Sequence, residues 1–229
     1  MNVAIILAAG ESRRMGQPKQ LLQFGGKTML ECVIDALRSP KIDEILVVLG
    51  HRAEEIAASI RSQAGTLRPD SGQAPVPPKS SQRAGTSRRS PAPATGKPVS
   101  PRIVKNPRYQ QGMFTSVQTG LRGLPKQATL VLIALCDQPR LQRATVEKLI
   151  DQFEERQHKI LVPVYDGRQG HPLLFRAEYA NEILGMNESL TLKHFLASHA
   201  EDVARLPITD EGVLIDIDDR ATYERELRR

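Results

Sequence analysis

The sequence predicts an α/β fold: a mostly parallel central sheet with helices on both faces. Three observations carry that expectation. Short apolar runs alternate with helical patterns along the chain. The runs AIIL, ILVVL and LVLIAL are near-continuous rather than alternating, as strands covered on both faces require. Apolar residues make up 40% of the 229, with only 4% aromatic and no Trp, so the core must be aliphatic.

Taken in order, the first strand is expected over Asn2–Ala8. Thr28 and Glu31 have capping-box spacing and open a helix over Met29–Leu37. The GGKT at 25–28 imitates the end of a P-loop, but Leu21 stands where that motif needs a glycine, so it reads as a turn into the capped helix. A strand at Glu44–Leu49 and a helix at Ala53–Arg61 follow. Arg102–Lys105 is a strand, Met113–Leu121 a helix and Thr129–Leu135 a strand. The helix at Ala144–Arg156 places Val146, Leu149, Ile150 and Phe153 on one face. Strands at Ile160–Val164 and Pro172–Phe175, a helix at Leu190–Ser198 and a strand at Val203–Pro207 come next. Val213–Ile217 reads as a last strand and Ala221–Arg228 as a last helix.

Residues 62–101 depart from this pattern. They hold eight of the sixteen prolines, no aromatic residue, and only Leu67, Val76 and Val99 as large aliphatics. Such a stretch cannot bury enough surface to offset the entropy of ordering, so it is expected to be a disordered insertion within one domain spanning 1–229. It carries six cations against one acid, five of the chain's net +6 charges. The basic balance therefore belongs to this segment and gives no reason to expect a nucleic-acid partner. No run approaches the roughly 20 apolar residues of a membrane span, and the short VAIILAA lacks the form of a secretory signal. Cys32 and Cys136 form no CxxC pair and are expected as free thiols in the cytoplasm.

In open α/β sheets ligands bind at the carboxyl ends of strands. After the first strand comes Ala8-Ala9-Gly10-Glu11-Ser12-Arg13-Arg14-Met15-Gly16-Gln17-Pro18-Lys19. Gly10 allows a sharp turn and close backbone approach to a ligand, and backbone N–H groups there can face an anion. Arg14 and Lys19 add positive charge at two depths, which suits a polyphosphate. The fourth strand ends in Cys136-Asp137-Gln138-Pro139, where a carboxylate at a strand end can hold a hard cation. In Ile215-Asp216-Ile217-Asp218 the two acids alternate with isoleucine and would share one face of a strand. Gly112 and Ser116 surround an expected helix N-terminus. His171 sits between Gly170 and Pro172.

The stretch Leu7 to Lys19 resembles, at all thirteen positions, the L-A-A-G-x-S-x-R-M-G-x-x-K signature of the MobA-like nucleotidyltransferases, and within them the molybdenum cofactor cytidylyltransferase branch. The N-P…G-M-x-x-S-x-x-x-G-L stretch from Asn106 and the G-H-P-x-x-F at Gly170–Phe175 are similar to the same family. The resemblance implies a Rossmann-like, GT-A-type fold and transfer of a nucleoside monophosphate from an NTP, expected to be CTP, to a phosphorylated acceptor, expected to be molybdenum cofactor. A recipient molybdoenzyme is a possible partner. It implies a nucleotide site of Leu7, Ala8, Ala9, Gly10, Ser12, Arg14, Lys19 and Ser116, with Arg14, Lys19 and Asp137 catalytic. A Mg²⁺ on Asp137 and Asp218, with Asp216 as runner-up, and an acceptor contact at His171 complete the set. Ala9 favours cytidylyl over guanylyl relatives, which more often have glycine there. Two departures stand out: Asp219-Arg220 replaces Thr-Pro in the family's D-I-D-T-P, and 185–193 lacks the acid and second glycine of its G-D-x-G-x-R-like segment. The alternatives are a guanylyl- or sugar-phosphate nucleotidyltransferase, or a non-catalytic nucleotide- or cofactor-binding chaperone.

Overall fold

The computed structural model describes residues 1–64 and 100–229. The expectation of a disordered insertion falls almost wholly on 65–99, outside the described residues.

The described chain forms ten strands and seven α-helices: β1 (Asn2–Ala8), β2 (Gln23–Phe24), β3 (Lys27–Thr28), α1 (Met29–Leu37), β4 (Glu44–Leu49), α2 (Ala53–Ala64), β5 (Arg102–Lys105), α3 (Met113–Arg122), β6 (Leu130–Leu135), α4 (Arg143–Glu155), β7 (Ile160–Tyr165), β8 (Arg168–Gln169), β9 (Leu173–Arg176), α5 (Ala180–Gly185), α6 (Leu192–Ser198), β10 (Val203–Pro207) and α7 (Arg220–Leu227). The sheet order is β10-β7-β9-β6-β1-β4-β5, with β8 paired to β7. β1 pairs in parallel with β4 and β6, β4 with β5, and β10 with β7. β9 runs antiparallel between β6 and β7. The fold is Rossmann-like, with a mostly parallel central sheet.

Alternate residues of β1 explain why both faces are covered. Ala4, Ile6 and Ala8 pack with α1 and α4 residues such as Leu30, Ile34, Leu149 and Phe153. Val3, Ile5 and Leu7 pack with Phe114, Val117 and Leu121 of α3 and with Ile183 and Phe195 beyond. The four positions expected on the inner face of α4 are all fully buried. Chain connections run from β1 outward to β4 and β5, then cross back to β6, so the order reverses between β1 and β6. A ligand crevice belongs at that switch point.

One expected element fails. Val213–Ile217 is not a strand: a 3-10 turn at Glu211–Val213 leads into irregular coil. Its backbone bonds go elsewhere, with the Ile217 N–H donating to the Asp137 carbonyl at 2.9 Å and the His171 N–H donating to the Val213 carbonyl at 3.0 Å. Consequently Asp216 and Asp218 have different partners, described below. The helix α5 and the β2–β3 hairpin were not foreseen; Gly25 and Gly26, at φ 59° and 83°, supply the hairpin's tight turn. The capping box on α1 forms as the spacing predicts.

Among the described residues no helix is long and apolar enough to cross a membrane. Both cysteines are free.

Candidate active site

The crevice at the switch point is a cavity of about 160 Å³ lined by Leu7, Ala9, Gly10, Lys19, Ser116 and Asp137, among others. It lies where β1 and β6 end side by side. The loop after β1 owes its shape to two left-handed residues, Ser12 (φ 55°) and Gly16 (φ 68°), rather than to Gly10. Gly10 contributes differently. A Cβ built there meets nothing within 4 Å, so the missing side chain leaves open space in the cavity lining.

Ser12 ties the loop together. Its hydroxyl accepts from the Lys19 N–H at 3.0 Å. Gln20, fully buried, donates its amide to the carbonyls of Ala8 at 2.8 Å and Gly10 at 3.2 Å. With those carbonyls occupied by Gln20, the loop is held open from behind. Sequence reasoning missed Gln20; a glutamine after a lysine in a loop looks like surface, and only its burial reveals it.

Charges from three distant parts of the chain meet here. The Lys19 ammonium donates to Asp137 Oδ2 at 2.5 Å and to Asp218 Oδ1 at 3.0 Å. Arg14 reaches Asp218 Oδ2 at 3.0 Å. Asp218 is brought there by the small cluster of Leu22, Met29 and Ile217, by the Ile217–Asp137 backbone bond, and by Asp219, which caps α7 through the Thr222 N–H at 2.8 Å. Asp137 does not cap α4, whose N-cap is Gln142. Asp216 instead accepts from the Gln138 amide at 2.9 Å.

The ionisation of the cluster follows from its setting. Burial opposes the Lys19 charge, but the carboxylates of Asp137 and Asp218 outweigh it, and the pKa lies above the ordinary lysine value. Burial likewise raises Asp218, yet Lys19 and Arg14 bring its carboxyl below the usual range. Burial and the Asp137 charge push Asp216 up. Burial pushes the Cys136 thiol up to about 12, so it is a neutral lining group at physiological pH.

Asp137 Oδ1 is buried and has no hydrogen-bond partner. Such a lone pair suits a cation. Among the described residues no group of three or more His, Cys, Asp or Glu side chains forms a cage. Mg²⁺ needs none, since it is held through one or two carboxylates, with waters and substrate phosphates as its other ligands. Asp137 and Asp218 therefore fit a divalent metal.

A second, larger cavity of about 450 Å³ shares Met113 and Leu135 with the first. Phe114, Val117, Leu190 and Leu192 make it largely apolar, and His171 and Lys193 are among its polar residues. Burial lowers the His171 pKa, with Asp137 opposing, so the imidazole is neutral at pH 7. The departing segment 185–193 thus supplies much of this wall. Of the expected site residues, Leu7, Ala9, Gly10, Lys19, Ser116 and Asp137 line the smaller cavity and His171 the larger. Arg14 and Asp218 join through ion pairs, while Ala8 and Ser12 serve through the backbone bonds and braces behind the loop.

The chain is 31% identical over 134 residues to a bifunctional IPC transferase and DIPP synthase of Rubrobacter xylanophilus, a match covering 57% of this chain and 23% of that protein's length. Among solved structures it resembles Rv0371c of Mycobacterium tuberculosis H37Rv at a TM-score of 0.72 and 23% identity, covering 100% of this chain and 97% of that one. A second structure of Rv0371c is a complex with manganese, at a TM-score of 0.68 and 22% identity, covering 99% of this chain and 98% of that one. Molybdopterin-guanine dinucleotide biosynthesis protein A from Archaeoglobus fulgidus matches at 0.60 and 16% identity, covering 100% and 97%. At these identities the structural likeness speaks to the fold. Residues 4–203 match the family model of the MobA-like NTP transferase domain, and the chain belongs to that family of nucleotidyltransferases.

Proposed function

We propose that this nucleotidyltransferase transfers CMP from CTP to the terminal phosphate of a molybdopterin-type acceptor carrying molybdenum, releasing pyrophosphate. One observation carries the proposal: Lys19 joins Asp137 and Asp218 at a cavity formed by the ends of β1 and β6. Cations for a triphosphate and carboxylates for a metal are thereby within one ion-pair distance.

In this reading the nucleotide occupies the smaller cavity against Leu7–Gly10 and Ser116, its phosphates along Ser12, Arg14 and Lys19. Ala9 lines this cavity, and the likeness to cytidylyl relatives at that position supports a pyrimidine base. The acceptor occupies the larger cavity, and the shared wall at Met113 and Leu135 sets its phosphate beside the nucleotide. An acceptor phosphate oxygen forms a bond to the α-phosphorus. The bond from that phosphorus to the β-bridging oxygen breaks, and pyrophosphate leaves with the electron pair. The acceptor phosphate is already anionic, so no general base is required. Lys19, held charged, neutralises the leaving group, and Arg14 adds a second cation. Neutral His171 offers a hydrogen bond to the acceptor without adding charge. Asp137 and Asp218 would hold Mg²⁺, which supplies Lewis-acid neutralisation of the phosphates. The remaining catalysis is positioning and electrostatic stabilisation. Residues 1–229 act as one domain with 62–101 as an insertion, in the cytoplasm, where free thiols persist.

The test is pyrophosphate release with each of four NTPs, with and without molybdenum cofactor. CTP-selective, cofactor-dependent release is expected; equal release with any NTP and sugar phosphate points to the alternative transferase. Asp137→Ala should abolish Mg²⁺-dependent release while preserving the circular dichroism spectrum. Activity that survives it removes Asp137 from the metal site.

A further inference from the structure

We infer that Asn106 is a positioning residue that fixes Ser116 as a hydrogen-bond donor toward the nucleobase, and so selects a base that presents bare lone pairs there, the O2/N3 edge of cytosine. The inference rests on the smaller cavity being the nucleotide site.

Asn106 follows β5 and is 1% exposed; Ser116, one turn into α3, is 3% exposed and lines the cavity. The Asn106 Oδ1 accepts from the Arg108 backbone N–H at 2.9 Å. A backbone N–H only donates, so the amide cannot be turned around, and both Nδ2 hydrogens are committed elsewhere. They point at Thr115 Oγ1, 2.9 Å away, and Ser116 Oγ, 3.0 Å away. Thr115 is satisfied in turn, because its own proton reaches the carbonyls of Gly112 at 2.9 Å or Arg108 at 3.1 Å.

Ser116 is different. Its oxygen accepts from Asn106, and among the described residues its proton makes no hydrogen bond. A nearly buried hydroxyl with an unspent proton at a cavity wall is placed to donate to an acceptor on the ligand. Cytosine presents O2 and N3 lone pairs side by side. The corresponding edge of guanine carries N1–H and N2–H₂; the second lone pair of Ser116 Oγ can accept from them, but the Ser116 proton is then left without an acceptor, which disfavours guanine. Asn106 touches no part of the cavity; it acts through the direction it imposes on Ser116.

Full-length protein is titrated calorimetrically with CTP and with GTP in Mg²⁺. Ser116→Ala should weaken CTP about tenfold, the size of one hydrogen bond, and leave GTP within about twofold. Ser116→Thr keeps the hydroxyl and should keep the CTP-to-GTP ratio. Asn106→Asp preserves shape but accepts the Ser116 proton, turning lone pairs into the cavity, so the ratio should fall about tenfold. If thermal melting shows that Asn106→Asp does not fold, Asn106→Leu replaces it, since it unpins Ser116 and should narrow the ratio. A ratio unmoved by Ser116→Ala and the Asn106 variants overturns the inference while the wild type still binds CTP. Wild-type protein that binds neither nucleotide sinks the nucleotide-site reading itself.

Discussion

Two polar residues of this site, Gln20 and His171, carry predictions that separate packing from chemistry. Gln20 holds the Ala8 and Gly10 carbonyls with one amide. Gln20→Leu keeps the volume and leaves both carbonyls without a partner. The expected loss is roughly 1–3 kcal/mol of stability in urea unfolding, the desolvation cost of unpaired buried groups. The KM for nucleotide should rise with little change in kcat, because the loop loses its shape before it loses its charges. His171 makes a prediction about pH. Its folded pKa lies below the ordinary histidine value because burial disfavours the cation. The unfolded chain therefore binds the proton first, and stability is lost as pH falls below about 6.5. Comparing thermal melts at pH 7.5 and 5.5, the wild type should lose more stability than His171→Gln. Equal losses in both proteins would remove His171 as the source of that acid sensitivity.

At the scale of elements, the family's Thr-Pro after the last acid and the Asp219-Arg220 found here perform one task. Asp219 is the N-cap of α7, its side chain accepting from the Thr222 N–H, and Arg220 is the first helical residue. Threonine then proline would serve the same two positions, a cap followed by a residue whose missing N–H is not needed. The departure in sequence is thus a substitution within capping chemistry, and what it preserves is the placement of Asp218. Asp219→Ala should weaken Mn²⁺ binding several-fold by electron paramagnetic resonance, and Asp219→Ser should restore it; a loss that serine does not restore would assign Asp219 a role other than capping. The same scale explains what the sequence could and could not say. β1, β4, β5, β10 and α1 have the expected bounds; in β1 and β4 burial on both faces leaves an unbroken apolar signal, and in α1 the capping box marks the start. The antiparallel course of β9 leaves no such signal, since Leu173, Leu174 and Phe175 would be buried in either direction. Val213–Ile217 alternates like a strand, yet its backbone is committed to His171 and Asp137 in a turn and a loop, and alternation cannot report who the partner is. The loop signature named Lys19 and the strand-end carboxylate named Asp137, but the braces Gln20 and Asn106 gain their meaning only from burial.

For the molecule as a whole, the informative fact is that the site neutralises itself. Residues 14, 19, 137 and 218 come from opposite ends and the middle of the chain, and the sheet order brings them to one crevice. Lys19 satisfies the carboxylates of Asp137 and Asp218, and Arg14 takes the other oxygen of Asp218. A triphosphate that draws Lys19 and Arg14 away leaves two carboxylates uncompensated, and a divalent cation on those carboxylates leaves two cations uncompensated. Each ligand removes the other's competitor, so the two should bind with positive coupling, and the coupling must be reciprocal. Saturating Mn²⁺ should tighten CTP by about tenfold or more, and saturating CTP should tighten Mn²⁺ by the same factor. Part of any such effect arises from the metal's own affinity for nucleotide in solution, which a protein variant does not alter. Lys19→Met removes the shared ammonium, and the coupling factor should fall toward that solution contribution while Mn²⁺ alone binds more tightly than to the wild type, because its competitor is gone. Should Lys19→Met weaken Mn²⁺ in the absence of nucleotide, the ammonium supports the metal site rather than competing for it, and the self-neutralised arrangement is not what couples the two ligands.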